Sequence, residues 1–471
     1  MVADLQAVVL AGGEGSKMFP LTEGIPKCLL PIANIPMISF VIKHLEKSGL
    51  KDIIVVVQAS DAAQITQTLQ TLFHEELNIE VVPLPEEDDL GTADALREVE
   101  ARIKGDVLVV SSDIVTDVAL HRLLDAHRTY DASFTAMLSP RVQVQSQETP
   151  AKVDKKKAMR DPNFGTRDFV AMDRAEGRLI FLSNEADQEQ ENLSFKKSTL
   201  KKYPNLKLES ELTDCHLYVM KKWLLQYLCN DNKMENIKSD FVPHILRKQF
   251  SKPKKTTTGE LVDDQEMSFH DDDDDKKIVR NTAKDIHSYC VDDELTTYLR
   301  EWSGYKGRSM EDRIKCHCIV ADGFCLRVNT LPAYTHMNKE LHKLKDSIAM
   351  PTEFQGHHPG ISLTEKSHIG QDCVVGQLAG MGTNVVVKKS VIGDKCVLGN
   401  GVKISNCVIM SNVRIADGCK LQNSIICDNV DIQENCTVTN CQISTGHSLK
   451  AGTEVQNEAI VQEEMDFDDD E

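Results

Sequence analysis

The sequence predicts an α/β architecture: a helix-covered, mostly parallel sheet followed by a three-sided parallel coil. Three observations carry that expectation. From Leu5 to about Phe250 short β-rich runs alternate with segments of helical periodicity, the pattern of strands joined by crossover helices. A glycine-rich turn, LAGGEG, leaves the first of those runs. The C-terminal part repeats at a constant interval, the mark of stacked structural units.

Leu5 to Leu10, Ile53 to Val57, Ile79 to Val82 and Val107 to Val110 are the clearest strands. Between the first two, Ile38, Val41, Ile42 and Leu45 recur at helical spacing and Gly49 supplies a stop signal, which makes one strand–helix–strand unit. The same logic places a helix after Thr92 and another from Asp117 to His127. DFVAMD at Asp168 and RLIFL at Arg178 predict a hairpin, CHLYVM at Cys215 a further strand, and the lysine-rich KVDKKKAMRDPNFG an exposed loop.

A chain of 471 residues exceeds what one core can fill, since cores stop growing at roughly 250 to 300 residues. Its 41% apolar content supports folding, while no apolar run reaches the ~20 residues that span a bilayer. The start, MVADLQAVVLAGG, reads as a first strand rather than a signal peptide, so a cytosolic location with reduced thiols is expected for its 14 cysteines. The net charge of −19 argues against a general nucleic-acid binder, which needs concentrated positive charge. Part of the acidic excess sits in HDDDDDKK at His270 and EEMDFDDDE at Glu463, runs that repel themselves and bury nothing. The expected partition is therefore a sheet domain at 1–250, an acidic flexible linker at 251–285, a connecting segment at 286–345, the coil at 346–462 and an acidic tail at 463–471.

Within the connecting segment, Cys316, His317, Cys318 and Cys325 fit no common zinc spacing, and alternate cysteines on a strand place two small apolar groups on one face of a core. In the coil, VKKSVI at Val387, ISNCVI at Ile404, LQNSII at Leu421, VTNCQI at Val438 and VQNEAI at Val455 each begin 17 residues after the one before. One aliphatic residue every five or six positions, as in Ile404, Ile409, Ile415 and Leu421, predicts three inward columns. Asn406, Asn423, Asn440 and Asn457 fall in register, so their amides can bond coil to coil. Apolar residues outside the coil or the sheet are the candidates for a partner interface.

The turn holding Gly12, Gly13 and Gly15 lets backbone amides approach phosphate oxygens, and Lys17 and Lys27 place two positive charges nearby. Two readings stand: a phosphate cradle, or a structural turn whose amides are satisfied by protein or water. Asp113 likewise either holds a metal ion or caps the loop that follows it.

The stretch from Leu10 to Pro31 resembles the signature of the sugar-nucleotide pyrophosphorylases, a nucleotidyltransferase-like (Rossmann-like) family. LGTADAL, with Gly91, resembles that family's base-pocket segment, and SSDIVTD puts Asp113 where the family carries its metal-binding aspartate. The coil resembles the left-handed parallel β-helix of hexapeptide-repeat proteins, and the handedness rests on that resemblance. Departures are specific. Lys17 stands where the active enzymes carry arginine, LSNEAD from Leu182 to Asp187 lacks the Glu-Lys-Pro that grips a sugar phosphate, and TDCHLYVM replaces an Asn-Gly-containing strand.

Together with GTADALR, NEAD and IKSDFVPHILRKQF, these features resemble the branch of the family found in initiation factor 2B, the exchange complex that swaps GDP for GTP on initiation factor 2. The resemblance implies a non-catalytic regulatory and assembly subunit with no cofactor and no metal. It implies pairing with the epsilon subunit, which carries exchange on an extra helical domain not found in this sequence, in a decamer with alpha, beta and delta subunits. On this reading Gly12, Gly13, Gly15, Lys17, Lys27, Gly91 and Asp113 are a vestigial nucleotide pocket. No membrane and no direct nucleic acid contact is implied. The alternatives are an active sugar-nucleotide pyrophosphorylase and a module that senses nucleotide without turnover.

Overall fold

The computed structural model describes residues 5–73, 77–85, 90–141, 167–187, 195, 197–231, 233–251, 286–290, 313–350, 366–378 and 380–461. The lysine-rich loop after Ala151, the acidic linker after Ser251 and the acidic tail lie outside the described residues. No described helix is long and apolar enough to cross a membrane.

Ten strands form one sheet: β1 (Leu5–Leu10), β2 (Asp52–Gln58), β3 (Asn78–Leu84), β4 (Asp106–Ser111), β5 (Phe134–Pro140), β6 (Asp168–Asp173), β7 (Arg178–Asn184), β8 (Leu206–Glu209), β9 (Leu212–Met220) and β10 (Cys316–Val320). Their order is β8-β6-β7-β10-β5-β9-β4-β1-β2-β3. Strands β4, β1, β2 and β3 form the parallel block, and β1 sits inside it with both faces covered. Its continuous apolar run follows from that burial: Val8 faces one core while Ala7 and Val9 face the other. Beyond the block the sheet is mixed, because β9 runs antiparallel to both β4 and β5, and β6 and β7 form the expected hairpin.

Helices α1 (Met37–Lys47), α2 (Ala62–Leu72), α3 (Thr92–Val99) and α4 (Leu120–Thr129) make or extend the crossovers. α4 begins three residues later than its periodicity suggests. Asp117 does not open the helix; its carboxylate accepts the Phe324 N–H at 2.7 Å and ties down a segment from beyond the linker.

The segment 286–345 is more than a connector. β10 inserts in the middle of the sheet, parallel to β5 and antiparallel to β7. The first unit therefore does not close at residue 250; chain from beyond the linker completes it. Cys316 and Cys318 are buried in its core, as their alternation predicts.

The coil is built of three parallel sheets, two of six strands and one of five. Its register is that of the repeat: Ile404 pairs with Leu421, Leu421 with Val438 and Val438 with Val455. Ile404, Ile409 and Ile415 each lie in one of three buried columns, stacked on Val387, Ile392 and Leu398 of the preceding coil. The asparagine amides do bond coil to coil, Asn406 to Asn423 and Asn440 to Asn457. All four also sit in the left-handed region, with φ of 62°, 52°, 57° and 58°, a corner that favours asparagine and that Lys389 occupies at φ 47° in the preceding coil. A second ladder, Asn412 to Asn429 at 2.9 Å, caps another corner.

One outward column of the coil, Val374, Val391, Val408 and Ile425, is covered by the chain itself. The helix Leu331–Leu344 packs on it through Tyr334, Met337 and Leu341, alongside Met18, Leu30, Ile32 and Phe40 from the N-terminal unit. Polar contacts pin the joint. Asn34 donates to the Ile392 carbonyl at 2.8 Å, the Ala33 N–H donates to Asn338 at 2.8 Å, and the Tyr334 hydroxyl donates to the Pro31 carbonyl at 2.6 Å.

Candidate functional site

The glycine-rich turn leaves β1 at the carboxyl edge of the parallel block, where α/β sheets carry their ligand sites. Gly12, Gly13, Lys27 and Gly91 line a cavity of about 140 Å³ together with Ser111, His216, Tyr218 and Arg327. Lys17 lies apart, on a neighbouring cavity of about 450 Å³ that Asp168, Asp214, His216, Lys238 and Arg327 also border. Gly15 lines neither of these two cavities. At φ 75° it shapes the turn, and a Cβ there would lie 2.8 Å from Thr22 and 3.0 Å from Lys27.

Gly91 owes its place to packing. A Cβ on it would come within 2.1 Å of the Glu235 carbonyl oxygen, which accepts the Ala93 N–H at 2.8 Å and fastens the start of α3 to the 233–237 loop. Asp94 closes the same end by accepting the Gly91 N–H at 3.0 Å.

Asp113 is buried, its side chain 1% exposed, and lines neither cavity. Lys27 donates to one of its oxygens, Arg327 Nε reaches both at 3.0 and 3.1 Å, and the Ser111 hydroxyl donates at 2.6 Å. Burial alone would raise this carboxyl's pKa. Arg327, then Lys27 and the hydrogen bonds from Lys27 and Ser111 outweigh burial and hold it well below the usual carboxylate range. Both oxygens are engaged by the protein's own cations and hydroxyl. Among the described residues no group of three or more His, Cys, Asp or Glu is placed to hold a metal ion. The residues present do not fit the divalent ion that the family resemblance implies at this aspartate.

Arg327 is one site residue that sequence reasoning missed. It sits on the short strand Cys325–Arg327, which returns from beyond the linker and pairs antiparallel with Ile114–Thr116. Its guanidinium also meets His216 Nε2 at 2.8 Å. His216 lies at φ 53° where the β9–β5 register shifts between Asp214 and Tyr218, a bulge that aims the imidazole at the site. Burial, then Arg327 and Lys238, hold its pKa well below the ordinary histidine value, so the ring is neutral at physiological pH.

A second cluster borders the larger cavity. Lys238 pairs with Asp168 at 2.8 Å, Asn184 donates to Asp168 at 3.0 Å, and the Tyr218 hydroxyl donates to Asp214. Burial raises the Asp214 pKa. Asn184 belongs to the LSNEAD run, where the sequence shows no lysine; Lys238, from IKSDF, brings an ammonium to the Asp168 edge of the same cavity instead.

Comparison with known proteins agrees with this architecture. Residues 6–148 match the nucleotidyl transferase family, and residues 356–455 match the LbH domain of the eIF2B epsilon subunit. The class is thus a nucleotidyltransferase domain joined to a C-terminal left-handed β-helix. The gamma subunit of translation initiation factor eIF2B from Dictyostelium discoideum is 27% identical over 415 residues, covering 82% of this chain and 86% of that relative. The gamma subunit from Schizosaccharomyces pombe is 27% identical over 382 residues, 79% of this chain and 71% of its own length. That of Caenorhabditis elegans is 31% identical over 252 residues, 52% of this chain and 59% of the relative. Over both its nucleotidyltransferase domain and its β-helix the chain is similar to eIF2B gamma subunits.

Proposed function

We propose that this chain is a non-catalytic regulatory and assembly subunit of the initiation factor 2B exchange complex, working in the cytosol. In this reading it pairs with the epsilon subunit, in a decamer that also holds alpha, beta and delta subunits, and supports exchange of GDP for GTP on initiation factor 2. Gly12, Gly13, Gly15, Lys17, Lys27, Gly91 and Asp113 are then the remains of a nucleotidyltransferase pocket.

One observation carries the loss of turnover: the Asp113 carboxylate is closed off by Lys27, Arg327 and Ser111. Phosphoryl-type transfer rests on positioning and charge neutralisation, and each missing donor costs on the order of 3 kcal/mol of transition-state stabilisation. Here Lys27 is spent on an internal carboxylate, and Lys17 is a point charge that offers no planar two-pronged contact. The test has two arms. The chain is expected to co-purify with an epsilon subunit and to accelerate GDP release from initiation factor 2. It is also expected to release no pyrophosphate from nucleoside triphosphates and hexose phosphates. A chain that neither binds epsilon nor changes the exchange rate refutes the role, and steady pyrophosphate release refutes the lack of catalysis.

The cavity beside Gly12 and Gly13 favours a second reading, a nucleotide held without turnover. Calorimetry with sugar nucleotides decides it, since no heat at millimolar ligand leaves a scaffold alone.

A further inference from the structure

We infer that Cys215 and Cys325 are a reversible oxidation site, at which a hydroperoxide converts the two thiols into an intrachain disulfide. The residues are 110 positions apart in sequence, yet their Sγ atoms lie 3.4 Å apart. Both are free thiols, and both border the cavity of about 450 Å³, which gives a small oxidant a route to an otherwise buried pair.

The two sulfurs are unequal. In the neutral pair the Cys325 thiol donates to Cys215; once Cys325 loses its proton the hydrogen bond comes from Cys215, and this brings the Cys325 thiol below its ordinary pKa against the pull of burial. The same donation, and then burial, push Cys215 well up. One sulfur is thus the nucleophile and the other the resolving thiol. Elsewhere burial pushes the thiols of Cys28, Cys316 and Cys318 up to about 12, which leaves them unreactive.

The chemistry balances with one hydroperoxide. The Cys325 sulfur attacks the terminal peroxide oxygen, the O–O bond breaks, and the thiol proton leaves with the departing alkoxide or hydroxide as alcohol or water. Cys215 then attacks the resulting sulfenic sulfur, the S–O bond breaks, and hydroxide takes the Cys215 proton as water. Two thiols are oxidised and one peroxide is reduced. The bond would join β9, beside His216, to the strand that carries Arg327, and so fasten the contact that closes Asp113.

The full chain is treated with hydrogen peroxide at neutral pH, blocked with iodoacetamide under denaturing conditions, digested without reductant and mapped by mass spectrometry. The expected product is a peptide pair joined through Cys215 and Cys325, with loss of those two free thiols, reversed by dithiothreitol. C215S and C325S each abolish the link, and in C215S dimedone traps Cys325 as the sulfenic acid. Wild-type mapping needs neither variant to fold. Oxidation confined to other cysteines, or a link that forms only when denaturant precedes peroxide, overturns the inference.

Discussion

Arg327→Gln removes the larger of the two cationic influences on a buried carboxylate, and its consequence follows from the geometry. In the native chain the Asp113 carboxyl lies below its unfolded value of about 3.9. Its charge therefore adds stability at every pH above that value, and the contribution is lost as pH falls through the lowered folded value. Without Arg327, burial is opposed only by Lys27 and Ser111, and the folded-state pKa climbs. Breaking a buried ion pair by removing one partner costs about 3 to 5 kcal/mol, and with Lys27 still in contact the lower end applies, about 3 kcal/mol. For a unit of this size that lowers the melting midpoint by roughly 6 to 12 °C. Calorimetric and urea midpoints at neutral pH, near pH 4 and in stronger acid measure it. The deficit should be full at neutral pH and near pH 4 and shrink only in stronger acid, where Asp113 of the variant takes up its proton and no longer needs its partner. A variant as stable as wild type at neutral pH, or a deficit that grows as acid is added, refutes the role given to this pair.

Gly91→Ala places a methyl against the Glu235 carbonyl and should destabilise by about 1 to 3 kcal/mol in chemical denaturation. Gly13→Ala meets nothing within 4 Å and should stay within about 0.5 kcal/mol of wild type. Tyr334→Phe leaves the Pro31 carbonyl without its donor and should cost about 1 kcal/mol, read in the same titration. The His216 ring, held neutral, should show no titration in histidine NMR between neutral pH and pH ~6, while unperturbed imidazoles titrate near 6.5.

Periodicity explains what the sequence made legible. The apolar runs of β1 and β2 and the recurring aliphatic columns of the coil repeat along the chain, so local pattern and final position coincide. The glycine-rich turn was legible for the same reason, being built from neighbours in sequence. β10 and Arg327 were not, because their places depend on chain returning across the linker into a gap that no local pattern describes. The resemblance of LGTADAL places Gly91 in the pocket, and it does line the cavity; the approach of Glu235 adds a packing constraint that the sequence did not show. The late start of α4 has a similar origin, since Asp117 serves a partner more than 200 positions away.

The joint between the short hairpin of Pro31–Ile32 and Ile35–Pro36, with Ala33 and Asn34 at its tip, the helix Leu331–Leu344 and the flank of the coil has a mechanical meaning. Pro31 and Lys27 belong to one short stretch, so the prism behind them acts as a backstop. Swivelling the prism would first have to peel Tyr334 from Pro31 and Asn34 from Ile392. Torque applied to the prism thus reaches Pro31, four residues from the ammonium beside Asp113, through these contacts.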